Sequence, residues 1–169
     1  QWPGLRLSHD RGPRGRGCGG RTPPGHRPKP GGADAVGRRE DGYHQLQSVF
    51  QLIDWCDVLT LKSISENEIR RIDPIPGIPP EQDLVVRAAQ VLKDFCKTNQ
   101  GVEIALKKMI PMGAGLGGGS SDAASTLIGL NTLWGLHLDT ATLCQLGLKL
   151  GADVPFFIFG QNAFVEGIG

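Results

Sequence analysis

The sequence predicts an α+β fold, a mixed sheet with helices packed on it, running from about Val36 to the last residue. Three observations carry that prediction. Val102, Ile104 and Leu106 alternate with Glu103, Ala105 and Lys107, the period of a half-buried strand. Apolar residues recur at helical spacing in three other segments. Strands and helices follow one another in mixed order, so a layered structure is expected, with a mixed α/β arrangement as the neighbouring alternative.

Taken in order, Asp41-Gly42 is a turn pair, and the apolar run Leu46, Val49, Phe50, Leu52 and Ile53 after it reads as a strand. Asp57-Val58-Leu59-Thr60-Leu61 reads as a second, and Ile69 to Ile72 as a short third before a loop rich in proline (Pro74, Pro76, Pro79, Pro80). Asp83 has the position of a helix N-cap, with Leu84, Ala88, Leu92 and Phe95 or Cys96 on one face behind it. The strand at Val102 follows. A second helix carries Ala123, Ala124, Leu127, Ile128, Asn131 and Trp134. Asp139 starts a third, with Leu143, Leu146 and Leu150, and Gly151 is expected to stop it as a C-terminal cap. Pro155 to Phe159 and Ala163 to Val165 read as closing strands. No internal repeat is visible.

The 169 residues hold 18 Lys and Arg against 17 Asp and Glu, a near balance that hides an uneven distribution. Residues 1–36 contain seven basic and two acidic residues, which leaves residues 37–169 net negative. Such a body has no general affinity for nucleic acid or anionic membrane, so phosphate binding has to come from local geometry. Fifteen of the first 36 residues are Gly or Pro with no period among them, a composition that cannot bury enough apolar surface to offset ordering. Arg14-Gly15-Arg16-Gly17 raises an RNA-binding tail as an alternative, against which stand the short run and the lack of interleaved aromatics. Cys18, Cys56, Cys96 and Cys144 form no CxxC pair and fit no zinc spacing, the usage of reduced thiols in a cytoplasmic protein. No apolar run approaches the roughly 20 residues of a membrane span.

The most informative segment is Pro111-Met112-Gly113-Ala114-Gly115-Leu116-Gly117-Gly118-Gly119-Ser120-Ser121-Asp122. Its glycines let successive backbone N–H groups converge on an anion without Cβ clashes. A helix follows at once, so its unpaired amides and positive dipole end face the same space. Ser120 and Ser121 add hydroxyls that can cap the helix, meet a phosphate oxygen or coordinate Mg²⁺. A purely structural loop with caps is one competing reading. A P-loop is excluded because no G-K-[ST] follows at the required spacing. Gly113, Gly115 and Gly118 match the dinucleotide fingerprint literally, but that motif wants a continuously apolar central strand before it. Here the strand carries Glu103, Lys107 and Lys108, and Pro111 intervenes.

This loop resembles the signature of the GHMP kinases, which bind ATP through a Pro-x-x-x-Gly-Leu-Gly-Ser-Ser-type loop. Its longer form, together with Gly37-Arg38-Arg39-Glu40-Asp41-Gly42-Tyr43-His44 and Leu150-Gly151-Ala152-Asp153-Val154-Pro155, is similar to one branch of that family in both order and separation. The resemblance implies a kinase N-terminal domain that uses ATP and Mg²⁺. It implies a small-molecule substrate, cytidine diphosphate methylerythritol, phosphorylated on a hydroxyl of its erythritol moiety in the non-mevalonate route to isoprenoid precursors. By position it assigns Pro111 to Ser121 to the ATP phosphates, Lys108 to the neighbourhood of the adenine, and Ser121 to the metal. Tyr43 and His44 fall at the cytidine end of the substrate. Asp153 takes the place of the carboxylate that acts on the attacking hydroxyl, where residue type alone would equally make it a turn cap.

Departures from the family pattern are also legible. The family opens with a Pro-Ala-Lys-x-Asn strand whose lysine is catalytic, and counting back from His44 puts that lysine at Pro28. Lys29 stands one place away between two prolines, which remove strand ladder donors. Residues 1–35 are therefore expected to be disordered or non-native, and the domain incomplete, with the family's C-terminal domain absent. Asp83 occupies a position where the family usually has Asn. An inactive kinase fragment with at most weak nucleotide binding is the alternative function.

Overall fold

The computed structural model describes residues 34–38, 44–75 and 77–168. The expectation for residues 1–33, like Cys18 and Tyr43, lies outside the described residues. The chain divides into two compact units, one spanning Leu52–Gln161 and the other containing the strands before and after it.

In the second of these, β1 (Asp34–Arg38), β2 (His44–Phe50) and β6 (Ala163–Ile168) form a three-stranded antiparallel sheet in the order β1-β2-β6. Arg38 pairs with His44, and Ser48 pairs with Val165. The expected strands at Leu46 and Ala163 are both here, although the first ends at Phe50 and leaves Leu52 and Ile53 outside it.

The Leu52–Gln161 unit is built on a mixed sheet, β3 (Val58–Ile64), β5 (Gly101–Lys107) and β4 (Ile69–Arg71), in the order β3-β5-β4. β3 runs antiparallel to β5, with Val58 opposite Lys107, and β4 runs parallel to β5. The connection from β4 to β5 is α1 (Leu84–Cys96), the helical crossover that parallel neighbours require. Val102, Ile104 and Leu106 are buried as their alternation predicts. On the other face, Glu103 of β5 pairs with Lys62 of β3 and Arg70 of β4, exposed ion pairs of small energetic weight.

α2 (Gly118–Leu133) is the central helix, packed against α1, β3, α3 (Thr140–Leu148) and α4 (Val154–Phe159). Being covered from several sides, it buries a broad face of small and apolar residues: Ala123, Ala124, Thr126, Leu127 and Leu130. Ile128 departs from its expected core position and is exposed. On α1 the buried stripe is Val85, Ala88, Ala89 and Leu92. It is rotated from the expected one, so that Leu84 is half-buried and Phe95 is exposed.

Two expectations are corrected. The segment Pro155 to Phe159 is a helix, not a strand. A short unbroken apolar run carries no period that separates a buried strand from a buried helix. Pro155 is tolerated in the first turn, where no backbone donor is needed, and Gly160 ends the helix at φ +66° with its amide bonded to Phe156 O. The third helix ends at Leu148, capped by Lys149 in a right-handed conformation, so Gly151 is not its left-handed cap. Gly151 instead donates its amide to Gly147 O at 3.1 Å.

No helix among the described residues is long and apolar enough to cross a membrane. Cys56, Cys96 and Cys144 are free thiols, and burial raises the pKa of both Cys96 and Cys144.

Candidate functional site

The site forms where β5 runs out into the glycine loop and α2 begins. Gly113, Gly115 and Gly117 have φ of +75°, +72° and +69°, while Ala114 and Leu116 between them do not enter the left-handed region. Alternation in the sign of φ turns successive N–H groups toward one side and makes a concave anion receptor. The first two glycines have open space where a Cβ would be, so the backbone conformation itself calls for glycine. At Gly117 a Cβ would also lie 2.7 Å from Phe157 Cζ of α4.

Gly117 is the N-cap of α2 and offers no side chain to the helix. The amides of Gly118, Gly119 and Ser120 therefore have no partner within the helix, and the first internal bond runs from Ser121 N to Gly117 O at 2.9 Å. No acidic residue occupies the first turn. These groups open into a cavity of about 300 Å³ lined by residues 111–120 of the loop and helix start. The lining also includes the apolar side chains Ile75, Ile78, Leu84, Val85 and Leu106, beside Gln82 and Asp83. The cavity thus combines backbone donors with apolar side chains.

Lys108 lines the same cavity, but its ammonium is already engaged. It forms an ion pair with Asp57 and a second with Asp122 Oδ2 at 2.8 Å. Burial lowers the Lys108 pKa, but hydrogen bonds to Asp122 and Asp57 outweigh that and raise it overall. Burial pushes Asp122 from an ordinary 3.8 up to about 6, with Lys108 opposing the rise. Burial also works to raise Asp57, yet hydrogen bonds from Lys108 and from the Ile110 and Met109 amides hold it below the usual carboxylate range. With both carboxylates ionised the Lys108 cluster is net negative, so attraction for an anion rests on the backbone amides.

Ser120 lines the cavity, while Ser121, half-buried, sits one residue further into the helix. The segment leading into α4 passes near Ser120, because a Cβ on Gly151 would lie 4.0 Å from Ser120 Oγ. Asp153 is exposed there and its side chain makes no capping hydrogen bond to α4. His44 opens β2 in the other compact unit. Among the described residues no group of three or more His, Cys, Asp and Glu side chains is gathered to hold a metal.

Two relationships were not legible in the sequence. Asp57 and Lys108 face each other because the antiparallel register, Val58 opposite Lys107, brings together the residues just beyond the paired ends. Asp83 caps α1 through Val85 N at 3.0 Å, as expected, but it also pairs with buried Arg71 at 3.0 Å.

Residues 83–161 match the sequence pattern described as "GHMP kinases N terminal domain". Over 134 residues the chain is 79% identical to a 4-diphosphocytidyl-2-C-methyl-D-erythritol kinase of Polynucleobacter asymbioticus, covering 79% of this chain and 46% of that protein. A protein of the same name from Ralstonia nicotianae is 60% identical over the same length and coverage. The crystal structure of a 4-(cytidine 5'-diphospho)-2C-methyl-D-erythritol kinase superposes with a TM-score of 0.69 at 41% identity, covering 78% of this chain and 46% of that one. A homoserine kinase from Cytophaga hutchinsonii shares the fold, with a TM-score of 0.53 at 19% identity and coverage of 72% and 37%. The chain spans about half the length of the curated relatives it matches.

Proposed function

The chain belongs to the GHMP kinase family, and on that footing we propose that it is the ATP-binding part of a kinase acting on 4-diphosphocytidyl-2-C-methyl-D-erythritol. The observation that carries this reading is the uncapped start of α2, whose amides open into a cavity that is also lined by apolar side chains. A purine base suits the slot near Ile75, Leu84 and Leu106, and a triphosphate suits the amides of residues 113–120. Relatives as close as 79% identical carry the name of the proposed enzyme, which supports the choice of substrate.

In this reading the glycine-loop amides and the α2 dipole neutralise charge on the phosphates as the γ-phosphoryl group moves. The bond from γ-phosphorus to the β,γ-bridging oxygen breaks, and a bond from γ-phosphorus to the substrate hydroxyl oxygen forms. Asp153, exposed and uncommitted to a cap, accepts the hydroxyl proton. Mg²⁺ would come with the nucleotide phosphates and offset their charge, held on the protein side by the Ser121 hydroxyl. An ion brought in by phosphates needs few protein ligands, which fits a helix start bearing two hydroxyls. Lys108 borders the base and is held in place by its two carboxylates. Tyr43 and His44 are assigned to the cytidine end of the substrate, and the reaction to the cytoplasm.

Calorimetric titration with Mg-ATP, followed by transfer of labelled phosphate to the cytidine-diphosphate substrate, tests the proposal. Saturable binding that survives added salt and is lost in Gly117→Val is expected, as is loss of transfer in Asp153→Asn. Binding that disappears with salt and is indifferent to Gly117 contradicts it.

A further inference from the structure

We propose that Asp57 is a positioning residue for the phosphate cradle, acting through the strand end that feeds the glycine loop. The inference rests on the reading of the loop as a nucleotide site. β5 ends at Lys107 and the loop begins at Pro111, so Met109 and Ile110 lie between ladder and loop with no strand partner. The Asp57 side chain stands in for that partner. Its Oδ1 accepts the amides of Met109 and Ile110, the latter at 2.8 Å, and its Oδ2 takes the Lys108 ammonium. The carboxylate is almost wholly buried, with a side-chain exposure of 2%, and does not line the cavity.

Three consecutive residues are thereby fixed from one side chain more than 50 positions earlier in the chain. Two of them shape the start of α2. A Cβ on Gly118 would lie 3.2 Å from Ile110 Cγ2 and 3.3 Å from Lys108 Nζ, so both side chains form the floor on which Gly118 rests. Asp57 thus sets where the loop leaves the sheet and where the free amides of α2 begin. Preorganised donors bind an anion without having to be ordered first, and a shifted cradle loses that advantage.

The test compares Asp57→Ala, Asp57→Asn and a core control, Leu143→Ala in α3, in the full chain. Mg-ATP affinity is measured at a temperature where every variant is folded, alongside amide hydrogen exchange at Met109 and Ile110. Asp57→Ala is expected to weaken Mg-ATP binding by about tenfold or more and to expose both amides to exchange. Asp57→Asn, which keeps an acceptor oxygen for the amides, is expected to recover part of the affinity and the amide protection. Leu143→Ala is expected to lower stability while leaving the affinity at the wild-type value. Affinity of Asp57→Ala within about twofold of wild type overturns the role of Asp57, as does an equal loss in Leu143→Ala. A wild-type chain that binds no Mg-ATP contradicts the nucleotide reading itself, and is thereby distinguished from a failure at Asp57.

Discussion

Helices α1 and α2 both begin on the same cavity, and they treat their unpaired amides in opposite ways. At α1 an aspartate closes the helix start: Asp83 Oδ1 accepts the Val85 amide at 3.0 Å, and its other oxygen binds Arg71. α3 is closed by the same device, with Asp139 accepting from Thr142 N at 2.8 Å. α2 has glycine where the others have aspartate, and its first three amides are left to whatever enters the cavity. Every helix start faces the same shortage of acceptors. A start satisfied from within the chain serves stability, and a start left open inside a cavity serves a ligand.

The contrast can be broken first at Asp83. Asp83→Ala removes a cap and also leaves the buried Arg71 guanidinium, already one donor short at Nη2, without its carboxylate. A loss of about 3–5 kcal/mol in urea unfolding is expected, and retention of wild-type stability would show that the pair is not formed. Gly117→Val should come next. It forces a β-branched residue to φ +69° and pushes a Cβ into Phe157, for a combined cost of about 2–4 kcal/mol by the same measurement.

Asp122 sharpens the comparison through pH. Its folded pKa of about 6 lies above the ordinary 3.8, so the folded state holds this proton more tightly than the unfolded chain. The associated stability is fully present below about pH 4 and is lost as pH rises through about 6, by up to about 3 kcal/mol relative to Asp122→Asn. A carboxyl NMR titration should find the midpoint near 6, and a midpoint near 4 would contradict the burial argument. Smallest of all, Asp139→Ala removes an exposed cap with no buried partner, and urea unfolding should show the least loss of stability of the series.

What the sequence made legible follows the same lines. Both aspartate caps could be read from residue type and the apolar period behind them, and the open start of α2 from glycines set directly before two serines. Those signals are local. The α4 helix was missed because five apolar residues with a proline near their start satisfy a strand and a first-turn helix equally well. The centre of the α1 stripe, Ala88 and Leu92, was legible, but its ends were not, because α2 and the sheet, not the helix alone, decide which face is covered. Asp57 was missed for a different reason. Its partners at Lys108, Met109 and Ile110 become neighbours only through the β3–β5 register, which no local pattern contains.

The account stands most directly on one measurement: amide chemical shifts of the full chain titrated with Mg-ATP. Saturable shifts concentrated at Gly113 to Ser120, with the amide of Thr142 at the closed start of α3 unmoved, are the predicted result. Saturable shifts that avoid Gly117 to Ser120, or that vanish when salt is raised, would contradict the claim that the open helix start is the phosphate site.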